Sequence, residues 1–546
     1  MHVAYIAMNT VKKTITFLLL IPFLCIFSCR KNSGPSWDTQ ILAPLIKTSL
    51  SIGNLITNTN SVTNPDSSVT LVFHDSLYSL NIDSLFKIRD TTLADIYPGI
   101  PGLPLSPGGS IIPGGGTPSQ TTYNLGSVNL TKAIVQTGFV KFKVISTLPR
   151  VTDYTYAVQS ATYNGNQLAI NIQVPATTGS IKRQERDTIL PLSGYTVDFT
   201  GLSHNGYNTL VTVLNGILDP SAPAYTLTSN DSVIITAQFY GIVPEYGQGY
   251  FGKTQKTIGP TQLSFPLFSG IKAGSLKLKD ANVTFTLENG FGVDARVYIN
   301  SLTAINTRPG GINVPLNASI INNAININGA TATINPSAPV IPSVQTFSLT
   351  SSNSNIVNWI DNLPTAINYQ LQLSTNPLGW TGNSNFAYYG YGIKAYLDVS
   401  VPLNLATNNL TLEDTVPVNF ASSGQAQQIK SGTFTLYASN LFPFSAGMQI
   451  YLLDNNKNVA DSILIPVQTI AAGIPNSYGF VANPAHSVLA IPLDTYHANL
   501  LFSSKNIIIK AIFNMGCTTC PTYVKIYNTY QLNLKLIGNF DYQVKG

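Results

Sequence analysis

An all-β fold, organised as tandem antiparallel β-sandwich domains with very few short helices, is what this sequence predicts. Three observations lead there. Apolar and polar residues alternate in segment after segment, as in "FVKFKVI", "QLAINIQV", "SVIITAQFY" and "KNIIIKAIF", and a period of two sets one face of a strand in a core and the other in water. Turn formers punctuate these segments, with 41 Gly and 33 Pro in 546 residues. Charged residues make up only 10% of the chain, against about 25% in an average soluble protein, so uncharged Asn, Ser, Thr and Tyr must cover the surface.

At the start, Lys12 and Lys13 precede an apolar run, Thr14 to Ser28, which is shorter than the roughly 20 residues a helix needs to cross a bilayer. A positive start, a short apolar stretch and a small residue before the cut are the parts of a secretory signal. Residues 1–28 are assigned to it, with Met8 as an alternative start to Met1. Residues 29–97 follow as an N-terminal anchor segment and β-hairpin. There "WDTQILAPLIKTSLSIGNLI" mixes a short strand with a turn, and "SVTLVFHDSLYSLNID" alternates on both sides of His74-Asp75, which reads as the hairpin turn. "PGIPGLPLSPGGSIIPGGGTP" repeats chain breakers without periodicity and predicts a linker over 98–120. Beyond it the expected units are a β-sandwich at 121–265, a β-rich domain with a short helix at 266–384, and a C-terminal β-sandwich at 385–546. The helix is "NIVNWIDNLP", where Ile356, Ile360 and Leu363 fall at i, i+4 and i+7, with Ser354 as cap and Pro364 as stop. "IKRQERDT" at 181–188 mixes both signs of charge and reads as a solvated hairpin or strand edge.

An internal repeat organises the rest. "GFVKFKVISTLPRV" from Gly138, "ANVTFTLENGFGV" from Ala281 and "GTFTLYASNLFPF" from Gly432 align so that Ser146, Asn289 and Asn440 coincide. Leu148, Phe291 and Phe442 then align, as do Pro149, Gly292 and Pro443. Val140, Val283 and Phe434 supply an inward position before the bend, followed two residues later by Phe142, Phe285 and Leu436. A polar Asn or Ser can bond its own backbone at a bend, and Pro or Gly ends the ladder. The alternative, a ligand site repeated three times, would use the same positions.

Ile26-Phe27-Ser28-Cys29 resembles the lipobox of bacterial lipoproteins, with Phe27 bulkier than that pattern at −2. The resemblance implies cleavage after Ser28 and lipidation of Cys29, whose two or three acyl chains make a stable anchor where one would not. Arg30 and Lys31 follow without an acidic run, which by analogy favours the outer membrane and leaves its periplasmic and outer faces both open. "SGTFTLYASNLFPFSAGMQIYLLD", "FYGIVPEYGQGYFG", "NLPTAINYQLQLSTNPLGW", "LDVSVPLNLATNNLTLEDT" and "PSWDTQILAPLIKTSL" together resemble a group of uncharacterised Gram-negative envelope lipoproteins of multi-domain β-sandwich type. That resemblance implies a lipid-anchored β protein and supplies no catalytic residues.

Candidate chemistry is sparse. Cys517-Thr518-Thr519-Cys520 has thioredoxin spacing, but strand-like sequence follows rather than the helix a redox thiolate needs. A disulfide staple across a hairpin tip is the favoured reading for Cys517 and Cys520, with a thiol relay or metal half-site as the alternative. Gly247 to Gly252 matches GxGxxG without a helix behind it and is expected to form a glycine-rich aromatic turn. "DNNKN" at 454–458 opens like a calcium loop, yet Val459 and Ile465 replace the required Gly and Glu, which leaves a plain hairpin turn. His74, His204, His486 and His497 show no metal spacing, and no GxSxG elbow occurs. No catalytic residue, metal ligand or cofactor is therefore assigned. Tyr246, Tyr250, Phe251, Trp380, Tyr388, Tyr389 and Tyr391 lie in two Gly-rich aromatic loops and could contact a glycan or protein partner, or simply pack over a sheet.

The formal net charge is +5 before Lys12 and Lys13 leave, and no basic patch interleaves with aromatics, so nucleic acid is not an expected partner. The expectation is a lipid-anchored, non-enzymatic outer-membrane scaffold or binding protein acting on an envelope protein or glycan. An envelope glycan hydrolase is one alternative, for which a cleft with two carboxylates about 5 to 10 Å apart would speak. A periplasmic lipid-binding or carrier protein is the other, for which an apolar tunnel would speak.

Overall fold

The computed structural model describes residues 36–54, 60–82, 88–418, 429–464, 469–504, 506–515 and 523–545. The fold is all-β, in three sandwiches, with two short α-helices, Ile356–Asp361 and Thr495–Ser503, among the described residues. Every named strand pairing is antiparallel. Cys29, Cys517 and Cys520, and with them the anchor and the disulfide readings, lie outside the described residues.

The first sandwich is one ten-stranded sheet folded back on itself. Asn129–Ser146 pairs with Ser232–Tyr250 on one side, Thr152–Tyr163 pairs with Asn166–Val174 and Thr209–Leu218, and the short strand Thr196–Asp198 joins the halves by pairing with both. The second sandwich packs a sheet containing Val69–Leu80, Asn282–Asn289 and Ile393–Pro402 on one containing Thr254–Ser264, Ala295–Ile305 and Ala366–Thr375. Phe73 meets Phe265 edge-on at 4.7 Å between these two sheets. In the third, Ser36–Ser51, Gln531–Lys545, Ile429–Asn440 and Ala485–Leu493 form one sheet. Asn404–Pro417, Asn506–Met515 and Phe444–Leu453 lie in its companion.

The three aligned segments are the bends that carry the chain between facing layers. Asn289 is fully buried; its Oδ1 accepts from the Phe291 N–H, and its Nδ2 donates to the carbonyls of Val293 and Asn328. Asn440 repeats this bond for bond, accepting from Phe442 and donating to Phe444 and Ala471. Ser146 keeps only the first bond, to the Leu148 N–H. The reason is the one the sequence suggests: a bend that leaves the ladder orphans backbone groups, and a buried side chain must satisfy them. Val140, Val283 and Phe434, and after them Phe142, Phe285 and Leu436, all point inward and are buried.

Several expected details differ. His74-Asp75 forms no turn, because Val69–Leu80 runs straight through it as one strand paired along its length with Ile393–Pro402, with a bulge just beyond at Leu77. Ser36–Ser51 is likewise a single strand, bulged near Pro44, against Gln531–Lys545. The expected linker at 98–120 lies on the first sandwich. Pro104–Leu105 pairs with Tyr225–Thr226, Leu105, Ile111 and Ile112 are buried, and Gly102, Gly108 and Gly116 donate to Leu227, Leu218 and Leu214. Its breakers shape loops that fit an adjoining strand, and its few apolar residues supply the contact. Sheets also cross the expected boundaries: Asn385–Tyr388 joins the first sandwich, Thr254–Ser264 the second, and Ser36–Ser51 the third. The helix Ile356–Asp361 forms with Ile356 and Ile360 buried, but Asn355 precedes it as the capping position while the Ser354 hydroxyl turns back to the Thr350 carbonyl. "IKRQERDT" is at an edge as expected: Gln184–Pro191 pairs with Asn129–Ser146, and Lys141–Asp187 and Lys143–Glu185 are cross-strand ion pairs.

Candidate functional site

The aromatic residues singled out from sequence divide by environment. Gly247 to Gly252 forms no turn: Gly247, Gly249 and Tyr250 belong to the strand Ser232–Tyr250. A Cβ on Gly249 would stand 2.1 Å from the Asn129 carbonyl oxygen, so glycine here permits close strand approach rather than phosphate contact. Tyr250 and Phe251 are buried, which leaves them no exposed face for a partner. Tyr246 and Tyr388 face each other across paired strands with ring centres 4.6 Å apart, both half-buried. Burial pushes the Tyr246 hydroxyl up from its ordinary range. Trp380 is 67% exposed and Tyr389 49%, while Tyr391 is half-buried. "DNNKN" is a hairpin turn, with Asp454 Oδ1 accepting from the backbone of Asn456 and Asn458.

Several chemistry-bearing polar groups are spoken for by structure. His74 Nδ1 lies 2.6 Å from Asp398 on an exposed sheet face, and His497 bonds Asp494, which caps the helix Thr495–Ser503. Arg308 donates to the carbonyls of Ile271, Leu363 and Phe268, and burial pulls its guanidinium below the usual arginine range. Asp361 accepts from the Leu278 N–H, and burial raises its carboxyl despite nearby Lys277.

What the sequence did not disclose is a cavity of about 750 Å³ inside the first sandwich. Its volume falls within the roughly 300–1,000 Å³ of small-molecule sites. Ala133 and Val135 from one half of the sheet face Val158, Ala161 and Leu168 from the other across it. Two sets of bulges open this end. Pairing of Ser232–Tyr250 with Asn129–Ser146 slips between Tyr240 and Tyr246, and pairing of Thr152–Tyr163 with Asn166–Val174 slips between Val158 and Thr162. Bulges bend the bulged strand and sharpen its twist, so the two halves diverge where alanines leave the space unfilled. At the other end Phe142 stacks on Tyr156 at 5.2 Å and Tyr154 is buried, closing the sandwich. Gly138 makes room at the bulge, since a Cβ there would touch Ile242 at 3.0 Å.

Polar groups on the wall are few. Asn208 is buried but already engaged, accepting from the Leu130 N–H and donating to the Val128 carbonyl. The Tyr123 hydroxyl is buried with no hydrogen-bond partner among the described residues, and burial pushes it up to about 12. Beside it Asn124 is exposed, and with Arg89 and Asp90 it marks the opening. Asp90, the one carboxylate among the described lining residues, accepts from the Gly241 N–H and so pins the bulge.

A second, shallower groove of about 440 Å³ lies on the sheet Ser36–Ser51, Gln531–Lys545, Ile429–Asn440 and Ala485–Leu493. Lys47 and Lys535 are direct cross-strand neighbours there, Tyr437 stands opposite Lys535, and His486 lines the same groove.

No protein-family model matches the chain, and none of the curated proteins matches it. Among solved structures, a presumptive secreted protein of Parabacteroides distasonis is similar at 9% identity over 91% of this chain and 99% of that one, with a TM-score of 0.27. A structure of infectious bursal disease virus, Gx strain, is similar at 11% identity over 90% and 85%, with a TM-score of 0.14. The capsid of the virus PBCV-1 is similar at 9% identity over 59% and 96%, with a TM-score of 0.11. Scores this low carry no weight for fold or function.

Proposed function

We propose that the chain is a lipid-anchored, non-enzymatic binding protein of the bacterial outer membrane, held through Cys29, that takes an apolar ligand into its first sandwich. The cavity between Ala133, Val135, Val158, Ala161 and Leu168 carries this reading. A natural interior packs to crystal-like density, and an apolar void of this size otherwise forfeits dispersion contacts on every wall. The anchor rests on the sequence around Cys29, which sets the protein where lipids and glycolipids are the abundant apolar solutes.

Uptake of a neutral fluorescent probe, N-phenyl-1-naphthylamine, by the full-length chain tests this. Saturable one-to-one uptake that Ala133→Phe abolishes, with unfolding still cooperative, is expected. Absence of saturable uptake, or uptake indifferent to Ala133→Phe, overturns it. For the anchor, Cys29→Ala is expected to move the protein out of the membrane fraction, and unchanged fractionation overturns that part alone.

A second reading, recognition of an envelope glycan, draws on the groove of Lys47, Lys535 and Tyr437, since an exposed ring and paired cations suit an acidic sugar. Loss of retention on an acidic polysaccharide column in Tyr437→Ala would favour it.

A further inference from the structure

We infer that the cavity's ligand is a single-chain amphiphile with an oxyanionic head, the tail lying between the two halves of the first sandwich and the head meeting Arg89 and Tyr123. This rests on the cavity reading above and adds the ligand's chemical class.

Two unassigned groups on the cavity wall motivate it. The Arg89 guanidinium is exposed at the opening and forms no ion pair or side-chain hydrogen bond among the described residues. The Tyr123 hydroxyl, by contrast, is buried without a partner among them, an arrangement that costs free energy unless something else accepts from it. Both groups can donate, and guanidinium offers a planar fork that matches a carboxylate or phosphate. Asp90 repels such a head; the Gly241 N–H, at 3.0 Å from Oδ1, fixes the direction of its carboxylate and leaves Arg89 to outweigh that repulsion. Asn208, whose amide could otherwise compete, has both ends of its side chain engaged. Inward from these groups the wall is Leu130, Val135, Leu168, Leu192 and Phe239, all buried, and suited to a hydrocarbon chain.

Four sixteen-carbon probes separate the possibilities: hexadecanoate, hexadecyl phosphate, hexadecanol and hexadecylammonium, titrated calorimetrically into the delipidated full-length chain below their micellar concentrations. At least one anionic probe is expected to bind about tenfold tighter than hexadecanol, the scale of one charge-assisted hydrogen bond partly screened by water. Arg89→Gln should erase that advantage, bringing the anionic probes level with hexadecanol. Tyr123→Phe should reduce it. Whichever anionic probe binds better identifies the head. Equal binding of hexadecanol and the anions, preference for the ammonium, or an anionic preference that survives Arg89→Gln overturns the inference and leaves the cavity reading standing. If no probe binds, the inference falls, and uptake of N-phenyl-1-naphthylamine decides the cavity reading separately.

Discussion

The first and third sandwiches turn the chain by related bends and yet differ in their interiors. Behind Asn440, Phe442 packs edge-on against Phe513 at 5.4 Å and Tyr530 at 6.0 Å, and the gap among Leu405, Phe442, Phe444 and Ile526 is about 10 Å³. Behind Ser146 the first sandwich is also closed, by Phe142, Tyr154 and Tyr156, but at its far end, between Ala133 and Ala161, the strands diverge around about 750 Å³. The bend thus directs the path of the chain, while bulges and side-chain volume decide whether the space it encloses is filled. A packing fold and a binding fold can share the same corner.

The bends themselves offer the largest effect. Asn440→Ala or Asn289→Ala leaves one N–H and two carbonyls without their side-chain partner and is expected to cost about 3 kcal/mol or more in chemical denaturation, whereas Ser146→Ala should cost about 1 kcal/mol. Equal losses at the three sites would break the correspondence between bond count and cost. Next comes interior volume. Ala446 is fully buried in the third sandwich, so Ala446→Leu should destabilise by about 1–3 kcal/mol through overpacking. Ala133→Leu points the same extra atoms into open space and should be neutral or stabilising while weakening ligand uptake. A penalty at Ala133 as large as at Ala446 would mean that the cavity closes in solution.

The smallest effect concerns pH. An ordinary tyrosine titrates near 10, and burial pushes Tyr123 up to about 12. The unfolded chain therefore loses this proton first, so the contribution is intact below about pH 10 and is lost as pH rises through about 12. Tyr123→Phe should make the alkaline fall in thermal midpoint shallower, though Tyr154 and Tyr530, also pushed to about 12, keep part of it. At neutral pH the same variant should gain up to about 1 kcal/mol without ligand, by removing an unpartnered hydroxyl. No change in the alkaline limb would mean that Tyr123 is solvated.

Much of this architecture is legible in the sequence, because alternation and bend chemistry are local. Val140 and Phe142, or Phe434 and Leu436, advertise their face by spacing alone, and Asn before Phe and Pro or Gly marks a corner. Local reading misplaces a turn at His74-Asp75, since only the partner strand Ile393–Pro402 shows that the strand continues. It also takes the Pro/Gly stretch after Pro98 as free chain, since its partners, Leu214, Leu218 and Leu227, lie about a hundred residues on. The cavity is less legible still. It depends on register slips between strands far apart in sequence and on alanines at 133 and 161 that, read singly, are unremarkable. Arg89 and Tyr123 carry no motif that would single them out in the sequence.

The strand Ser36–Ser51 begins seven positions past Cys29 and is zipped against Gln531–Lys545 along nearly its whole length. Under the proposed anchor, any tug between membrane and protein enters through this strand. A load along the strand axis meets the ladder's hydrogen bonds together in shear, whereas a load across it peels them one at a time. The same pairing makes assembly of this sheet wait, because Ser36–Ser51 is synthesised long before Gln531–Lys545, the strand it pairs with.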